Sequence, residues 1–422
     1  MIAVVGGGIT GLAVGRELAR NGSEFVVLEA SGRTGGVIRS QEVDGHLLDW
    51  GPQRARLTRG VVDLIDDLGL QDQVVTAPEG LGLFVYRKGK LRRVPFSARG
   101  FVTSDIVSLP AKLRMMLEPF TRGARGDESV AGLFTRKFGR EFYENIVGPL
   151  YGGLYASDPA EMIVELSLGH VLREFDVGRS LVLTFLGRGG SVSPPPACSF
   201  ARGMQTLPDA LAASLGDRVR RNEPVRGLSR TAAGWRLETE TGAFDCEAVI
   251  LTAPAPVTAR ILAPVAPDAA ERIATLQYNP LGVVHLHAET ELEGLGFQVS
   301  LGERRALRGV TYNDSLFGRA NVYTAYLGGA THPEVVDLDD AQLGTLAVDE
   351  FRRCTGYDAG VVSVTRERMP AWDRSWKALA GMELPAGIHL AANWETRPGI
   401  PGRLARARTV LDEILGRAPV RR

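Results

Sequence analysis

The chain has 422 residues, two to three times the length of an ordinary domain, so one large or two interleaved domains are expected. Apolar residues make up 44% and charged residues 23%, a globular balance that excludes wholesale disorder. With 49 basic against 49 acidic residues, the chain as a whole has no general attraction for nucleic acid or acidic lipid.

Cys198, Cys246 and Cys354 stand far apart and without CxxC spacing, which argues against both a zinc site and a disulfide framework. His285 and His287 would share one strand face, but zinc wants three or four convergent ligands, so no metal is expected. No apolar run nears the roughly 20 residues that span a bilayer, 180–186 being among the longest. A strand pattern begins at residue 2, which leaves no room for a leader, and a cytoplasmic chain is expected.

Residues 2–5 are wholly apolar, as in a buried parallel strand. They run into Gly6, Gly7, Gly8, Ile9, Thr10 and Gly11, after which 12–21 has helical spacing and Gly22 ends it. A second apolar strand, 24–28, closes at Glu29. This β-α-β unit has the length and glycine spacing of a dinucleotide-binding fingerprint. Gly6 permits the tight turn, Gly8 lets backbone approach a pyrophosphate, and Gly11 allows close helix–strand packing. The helix N-terminus offers free N–H groups to phosphate, and Glu29 can accept from a ribose diol. Ser31-Gly32-Arg33-Thr34-Gly35-Gly36-Val37 then supplies an arginine and a paired-glycine turn, suited to a second approach to an extended dinucleotide.

Further along, 45–50 reads as a strand ended by Gly51-Pro52-Gln53, 61–70 as a helix, and 83–94 as a hairpin turning at Lys88-Gly89. Residues 96–200 form a helical region. Within it Phe101, Ile106, Leu109, Leu113, Met115 and Met116 are expected mainly in the core, and 187–196 (GRGGSVSPPP) reads as a loop. Strand patterns follow at 220–225, 235–239 and 248–252, then at 281–287, 310–312 and 322–327, which alternate like an antiparallel sheet. The last strand is 388–392 and the last helix 400–415.

The Arg-x-Gly-Gly turn after the glycine motif resembles that of flavin-containing amine oxidases, phytoene desaturases and protoporphyrinogen oxidases, which hold FAD. Phe138-Gly139-Arg140-Glu141, Gly148–Asp158 (GPLYGGLYASD), Gly203-Met204-Gln205-Thr206-Leu207, Leu327-Gly328-Gly329-Ala330 and the closing Asn393…Gly399-Ile400-Pro401 narrow the resemblance. Together they are similar to bacterial protoporphyrinogen and coproporphyrinogen III oxidases over essentially the whole chain.

The resemblance implies an α/β protein with a Rossmann-like FAD-binding domain (1–55, 203–262, 380–422). That domain is interleaved with a mixed-sheet substrate domain (56–95, 263–379) and a helical region (96–202) that contacts the membrane surface in related enzymes. It implies FAD held by the glycine motif, Glu29, Ala30, Arg33, Gly35, Gly36 and Val37. Gly51, Pro52, Gln53 and Arg54 would lie under the ring, Val225 by the adenine, and Asn393, Trp394, Gly399, Ile400 and Pro401 by the pyrimidine edge. Ala156, Val299, Val310 and Tyr326 would meet the substrate.

The implied reaction takes six electrons from a porphyrinogen of haem biosynthesis in three two-electron steps, with oxygen as final acceptor. A cytoplasmic enzyme, a peripheral membrane contact and a homodimer are all compatible with it. Leu83 stands where many mitochondrial-type relatives carry a carboxylate-binding arginine, and Arg87, Arg54 or Arg56 are the substitutes available. The rivals are a flavin amine oxidase, a phytoene-type desaturase, and a flavoprotein that binds a tetrapyrrole without turnover. No lysine is expected on the sheet strands, against the amine oxidase.

Overall fold

The computed structural model describes residues 1–169, 172, 180–187, 189, 195–395 and 399–417. Ile2–Val5 and Phe25–Leu28 are wholly buried four-residue strands, as their unbroken apolar runs require. They form the centre of a five-stranded parallel sheet in the order Val219–Arg220, Phe25–Leu28, Ile2–Val5, Ala248–Leu251, Ile388–Leu390. Its strands thus come from three well-separated stretches of chain. The helix Ile9–Arg20 buries one face against this sheet and packs beside the last helix, Ile400–Ile414.

A seven-stranded sheet stands against it, in the order Gly360–Pro370, Tyr278–His287, Val322–Gly328, Leu307–Tyr312, Gly296–Val299, Leu83–Arg87, Lys90–Arg93. All its pairings are antiparallel except Gly296–Val299 with Leu83–Arg87. Side chains alternate across a strand, so the two faces of this sheet have different jobs. One face packs Val284, Tyr312, Tyr323 and Ala325 under the helix Asp340–Thr355. The other face carries Leu281, Val283, His285, Val322, Thr324 and Tyr326 and is turned toward the dinucleotide half.

The described residues between 98 and 187 are mostly short helices, including a π-helical turn at Tyr143–Val147 that runs directly into Gly148–Tyr155. The apolar positions expected there mainly in the core divide. Ile106 is buried, and Phe101 and Met115 pack on core clusters, but Leu109, Leu113 and Met116 are 69%, 57% and 69% exposed. The Leu109–Met115 helix is too short to bury two faces, so one stripe stays in solvent. Of the proposed 187–196 loop, 188 and 190–194 lie outside the described residues.

The Lys88-Gly89 turn is as expected, with both residues at positive φ, the geometry of a two-residue hairpin. The expectation about lysine needs correction, since Lys90 opens the edge strand Lys90–Arg93, where it is exposed. An edge strand tolerates a charge pointing to water.

Candidate cofactor and substrate site

The glycine motif is built by close backbone approach. A Cβ on Gly11 would lie 1.9 Å from the Gly6 carbonyl oxygen, so helix and strand end meet at a distance only glycine permits. Gly6 itself has φ +110°, and Thr252 Oγ1 bonds both the Val5 and Gly6 carbonyls, pinning the turn. No side chain caps the Ile9–Arg20 helix at Gly8, leaving its first N–H groups to an outside acceptor.

The Gly35-Gly36 turn folds over this end. Gly35 N–H donates to the Gly7 carbonyl at 2.9 Å, and a Cβ on Gly36 would come within 3.2 Å of Gly8 Cα. Both glycines have positive φ. Between them lies an all-backbone cradle that a side chain at either position would fill, and it fits a pyrophosphate.

Glu29 ends its strand beside this cradle. Its carboxylate accepts from Gly7 N–H at 2.7 Å, and from the Ser31 N–H and hydroxyl at 2.8 and 2.7 Å. The chain before Val225 is laid alongside, because Glu223 N–H donates to the Glu29 carbonyl and Asn222 N–H to that of Ser31. Ala30 is exposed next to it, and Val225 is buried. The Arg33 guanidinium closes the glycine turn by donating to the carbonyls of Thr34, Gly36 and Ile38.

Groups given no role in the site by sequence reasoning hold the turn in place. Asp49 is buried and accepts from the Ser40 hydroxyl at 2.5 Å and from Met204 N–H at 2.8 Å. Burial pushes its carboxyl upward, against the pull of those two hydrogen bonds. Gln205 then donates to the Ser40 hydroxyl from its backbone and to the Thr34 carbonyl from its side chain. Gly203-Met204-Gln205 is therefore the clamp that ties the hairpin of Arg39–Val43 and His46–Trp50 to the Gly35-Gly36 turn. An aspartate inside an otherwise apolar strand, His46–Trp50, was the readable signal for it.

Gly51, at φ +83°, crosses the turn so closely that a Cβ would lie 2.1 Å from the Val37 carbonyl oxygen. Val37 and Pro52 keep solvent-accessible surface here. Gln53 is buried and bridges to the large sheet, donating to Thr324 Oγ1 at 2.7 Å and accepting from Asn313 Nδ2 at 3.0 Å. Thr324 in turn donates to Asn313 at 2.9 Å, which completes a satisfied triad between the two sheets.

Beyond Gln53, the half-buried Arg54 makes no hydrogen bond among the described residues; its Nη1 is buried, and the group is within electrostatic range of Tyr326. Burial holds it below the usual arginine range, and Arg56 pushes the same way. His285 is buried behind the hairpin with Nε2 3.1 Å from the Asp49 carbonyl, and burial holds it down at about 4. His287 stacks instead on His46, with ring centroids 4.9 Å apart.

The structure brings Tyr326 and Ala156 together, in an apolar cluster with Leu281, Val283 and Met369 that faces the dinucleotide half. It does not bring Val299 and Val310 to that surface. They stand on the opposite face, beneath the helix Asp340–Thr355, because Val310 pairs with Ala325 rather than with Tyr326. The side-chain period of two decides this, and the register is not readable from the strand sequences alone. Ala156 has left-handed φ and accepts from Ala330 N–H at 2.8 Å.

At the other end, the Ile400–Ile414 helix begins at Gly399, with φ +89° and no side-chain cap. Asn393 keeps some accessible surface. Trp394 is wholly buried, with its indole N–H donated to the Ala253 carbonyl and its own carbonyl accepting from Trp376.

A parallel sheet carrying this glycine cradle, with a second sheet facing it, defines a dinucleotide-binding protein. The profile described as flavin containing amine oxidoreductase matches residues 9–386, and the chain belongs to that family of FAD-dependent oxidoreductases. Chloroplastic protoporphyrinogen oxidase of Oryza sativa subsp. japonica is 30% identical over 386 residues, covering 81% of this chain and 72% of that one. Coproporphyrinogen III oxidase of Mycobacterium leprae is 27% identical over 445 residues, covering 97% and 94%. The crystal structure of a protein assigned as a protoporphyrinogen oxidase, from Exiguobacterium sp. 255-15, superposes with a TM-score of 0.80 at 22% identity. It covers 98% of each chain. Wild-type putrescine oxidase bound to putrescine gives 0.70 at 17% identity over 99% of each, a likeness of fold.

Proposed function

We propose that this protein is a porphyrinogen oxidase of haem biosynthesis, converting protoporphyrinogen IX or coproporphyrinogen III to the porphyrin with oxygen as final acceptor. The observation that carries this reading is the apolar cluster of Leu281, Val283, Tyr326 and Ala156 on the sheet face turned toward the dinucleotide half, with the Arg54 guanidinium in electrostatic range of Tyr326. A flat, apolar macrocycle with carboxylate arms matches such a surface. The relatives named as porphyrinogen oxidases support the same substrate class.

FAD supplies the two-electron acceptor when bound. In this reading the N–H groups after Gly8 and those of the Gly35-Gly36 turn hold its pyrophosphate, and Glu29 exchanges bonds to the chain for bonds to a ribose diol. Arg33 adds positive charge near the turn. Backbone at Val225 meets the adenine, Gly51–Gln53 supports the ring, and Asn393 with the Gly399–Pro401 helix end meets its pyrimidine edge. Segments 1–55, 203–262 and 380–422 then form the cofactor domain, and 56–95 with 263–379 the substrate domain. Leu281, Val283 and Tyr326 orient the macrocycle and exclude water. The lysines do not favour an amine oxidase: Lys137 is paired with Glu118, Lys377 with Asp127, and Lys112 with the Val102 and Ser104 carbonyls.

The reading also places the enzyme in the cytoplasm, peripheral to a membrane. Leu109, Leu113, Met116, Leu117 and Phe120 form an exposed stripe at helical spacing, joined by Leu183 and Leu186. Among the described residues no helix is long and apolar enough to cross a bilayer.

Porphyrin fluorescence after mixing the purified yellow protein with each porphyrinogen, against a no-enzyme control, tests the function. Turnover of either establishes it, and the rate ratio identifies the preferred substrate. A FAD-loaded protein that oxidises neither refutes it.

A further inference from the structure

We propose that Arg54 is the substrate-carboxylate receptor of this enzyme, a specificity-determining residue at the end of the Tyr326 wall rather than a cofactor ligand. The assignment deepens the porphyrinogen reading and rests on it for the identity of the substrate.

The first argument is charge accounting. A buried guanidinium is costly unless acceptors surround it, because its five N–H donors lose water. Other deep arginines of this chain each have at least one acceptor. Arg16 is paired with Glu17 and Asp67, and Arg305 with Glu350. Arg308 donates to Thr331 Oγ1 with Asp158 in electrostatic range, and Arg319 donates to the Phe200 carbonyl. Among the described residues Arg54 has neither hydrogen bond nor ion pair, and the charge of Arg56 acts against its own. Asp49 already accepts from the Ser40 hydroxyl and Met204 N–H. The fold therefore leaves a planar, two-pronged cation without its anion.

The second argument is position. Gln53, the residue before it, is locked to Thr324 and Asn313 of the large sheet. This lock carries Arg54 past the glycine cradle to the sheet side, beside Tyr326. Tyr326 lies deep in the molecule yet keeps accessible surface, the mark of a cavity wall. Arg87, another of the arginines the sequence offered, is already paired with Glu141 and the Ile106 carbonyl. A ligand with an apolar body on Leu281, Val283 and Tyr326, and a carboxylate on Arg54, satisfies both halves of the site. A guanidinium takes such a carboxylate through two parallel hydrogen bonds.

The test uses the FAD-loaded full chain and the Arg54→Gln and Arg54→Lys variants. Benzoate, a carboxylate on a flat apolar ring, is titrated while the flavin absorption spectrum is followed. Coproporphyrin III and its tetramethyl ester are then titrated by fluorescence quenching. Arg54→Gln should keep its FAD, lose the benzoate response, and bind coproporphyrin III at least about 30-fold more weakly, the usual scale for truncating a buried charge pair. The ester should bind wild type and variant alike, and Arg54→Lys should recover part of the loss.

Release of FAD from Arg54→Gln, with unchanged benzoate binding in the reconstituted protein, would make Arg54 a cofactor ligand and overturn the proposal. Equal weakening of acid and ester, or no weakening, would also overturn it, as would a wild type that neither responds to benzoate nor prefers acid to ester. A wild type that binds benzoate through Arg54 but oxidises neither porphyrinogen would support the receptor and refute the porphyrinogen reading.

Discussion

His285 makes the stability of this fold depend on pH in a way that can be isolated. The ring is fully buried on the strand Tyr278–His287, with Nε2 on the Asp49 carbonyl and, among the described residues, no partner for Nδ1. Burial lowers it from the ordinary 6.5 to about 4, so it is neutral in the folded chain at pH 7. On acidification the unfolded chain takes up the proton first. The contribution is therefore complete above about pH 6.5 and is lost progressively toward pH 4.

The whole gap is worth about 3 kcal/mol, and about 2 kcal/mol of it disappears between pH 7 and pH 5. His285→Gln keeps a donor for the Asp49 carbonyl but cannot titrate. Urea unfolding of the apoprotein at both pH values, for wild type and variant, gives a difference of differences in which other groups cancel. Wild type should lose about 2 kcal/mol more than the variant on going to pH 5. Equal losses would show that His285 titrates normally in the fold, and the argument from burial would fail.

Gly11→Ala should displace the helix from the strand end, since a 1.9 Å contact must open by more than 1 Å. It should cost about 1–3 kcal/mol, read as roughly 10- to 100-fold weaker FAD binding by flavin fluorescence together with a lower Tm. Glu29→Ala should release FAD on dilution, and a variant that stays fully yellow would contradict the ribose role. Lys137→Met should strip Glu118 of its cation in a buried site and cost about 3–5 kcal/mol in chemical denaturation, with Glu118→Gln in the same chain restoring part of it. Leu113→Glu combined with Met116→Glu should abolish co-sedimentation with anionic lipid vesicles while leaving FAD binding and stability unchanged, since both side chains are exposed.

Local sequence determined the glycine cradle, because its requirements are local. A tight turn, a close backbone approach and an uncapped helix end each demand a residue type within a few positions, and Gly6, Gly8 and Gly11 meet those demands where they stand. The two apolar strands and the Lys88-Gly89 turn were legible for the same reason. Family resemblance extended this to the cofactor and the class of enzyme.

Only the tertiary structure decided which face of the second sheet belongs to the site. Register across Val322–Gly328 sends Tyr326 toward the cradle and Val310 to the opposite core, and a shift by one residue would exchange them. The parallel join of Leu83–Arg87 to Gly296–Val299, 213 residues apart, left no local trace either. The three candidate arginines, Arg54, Arg56 and Arg87, are chemically alike in the sequence. What separates them is which carbonyls and carboxylates the fold places beside each, and that depends on contacts between segments far apart in the chain.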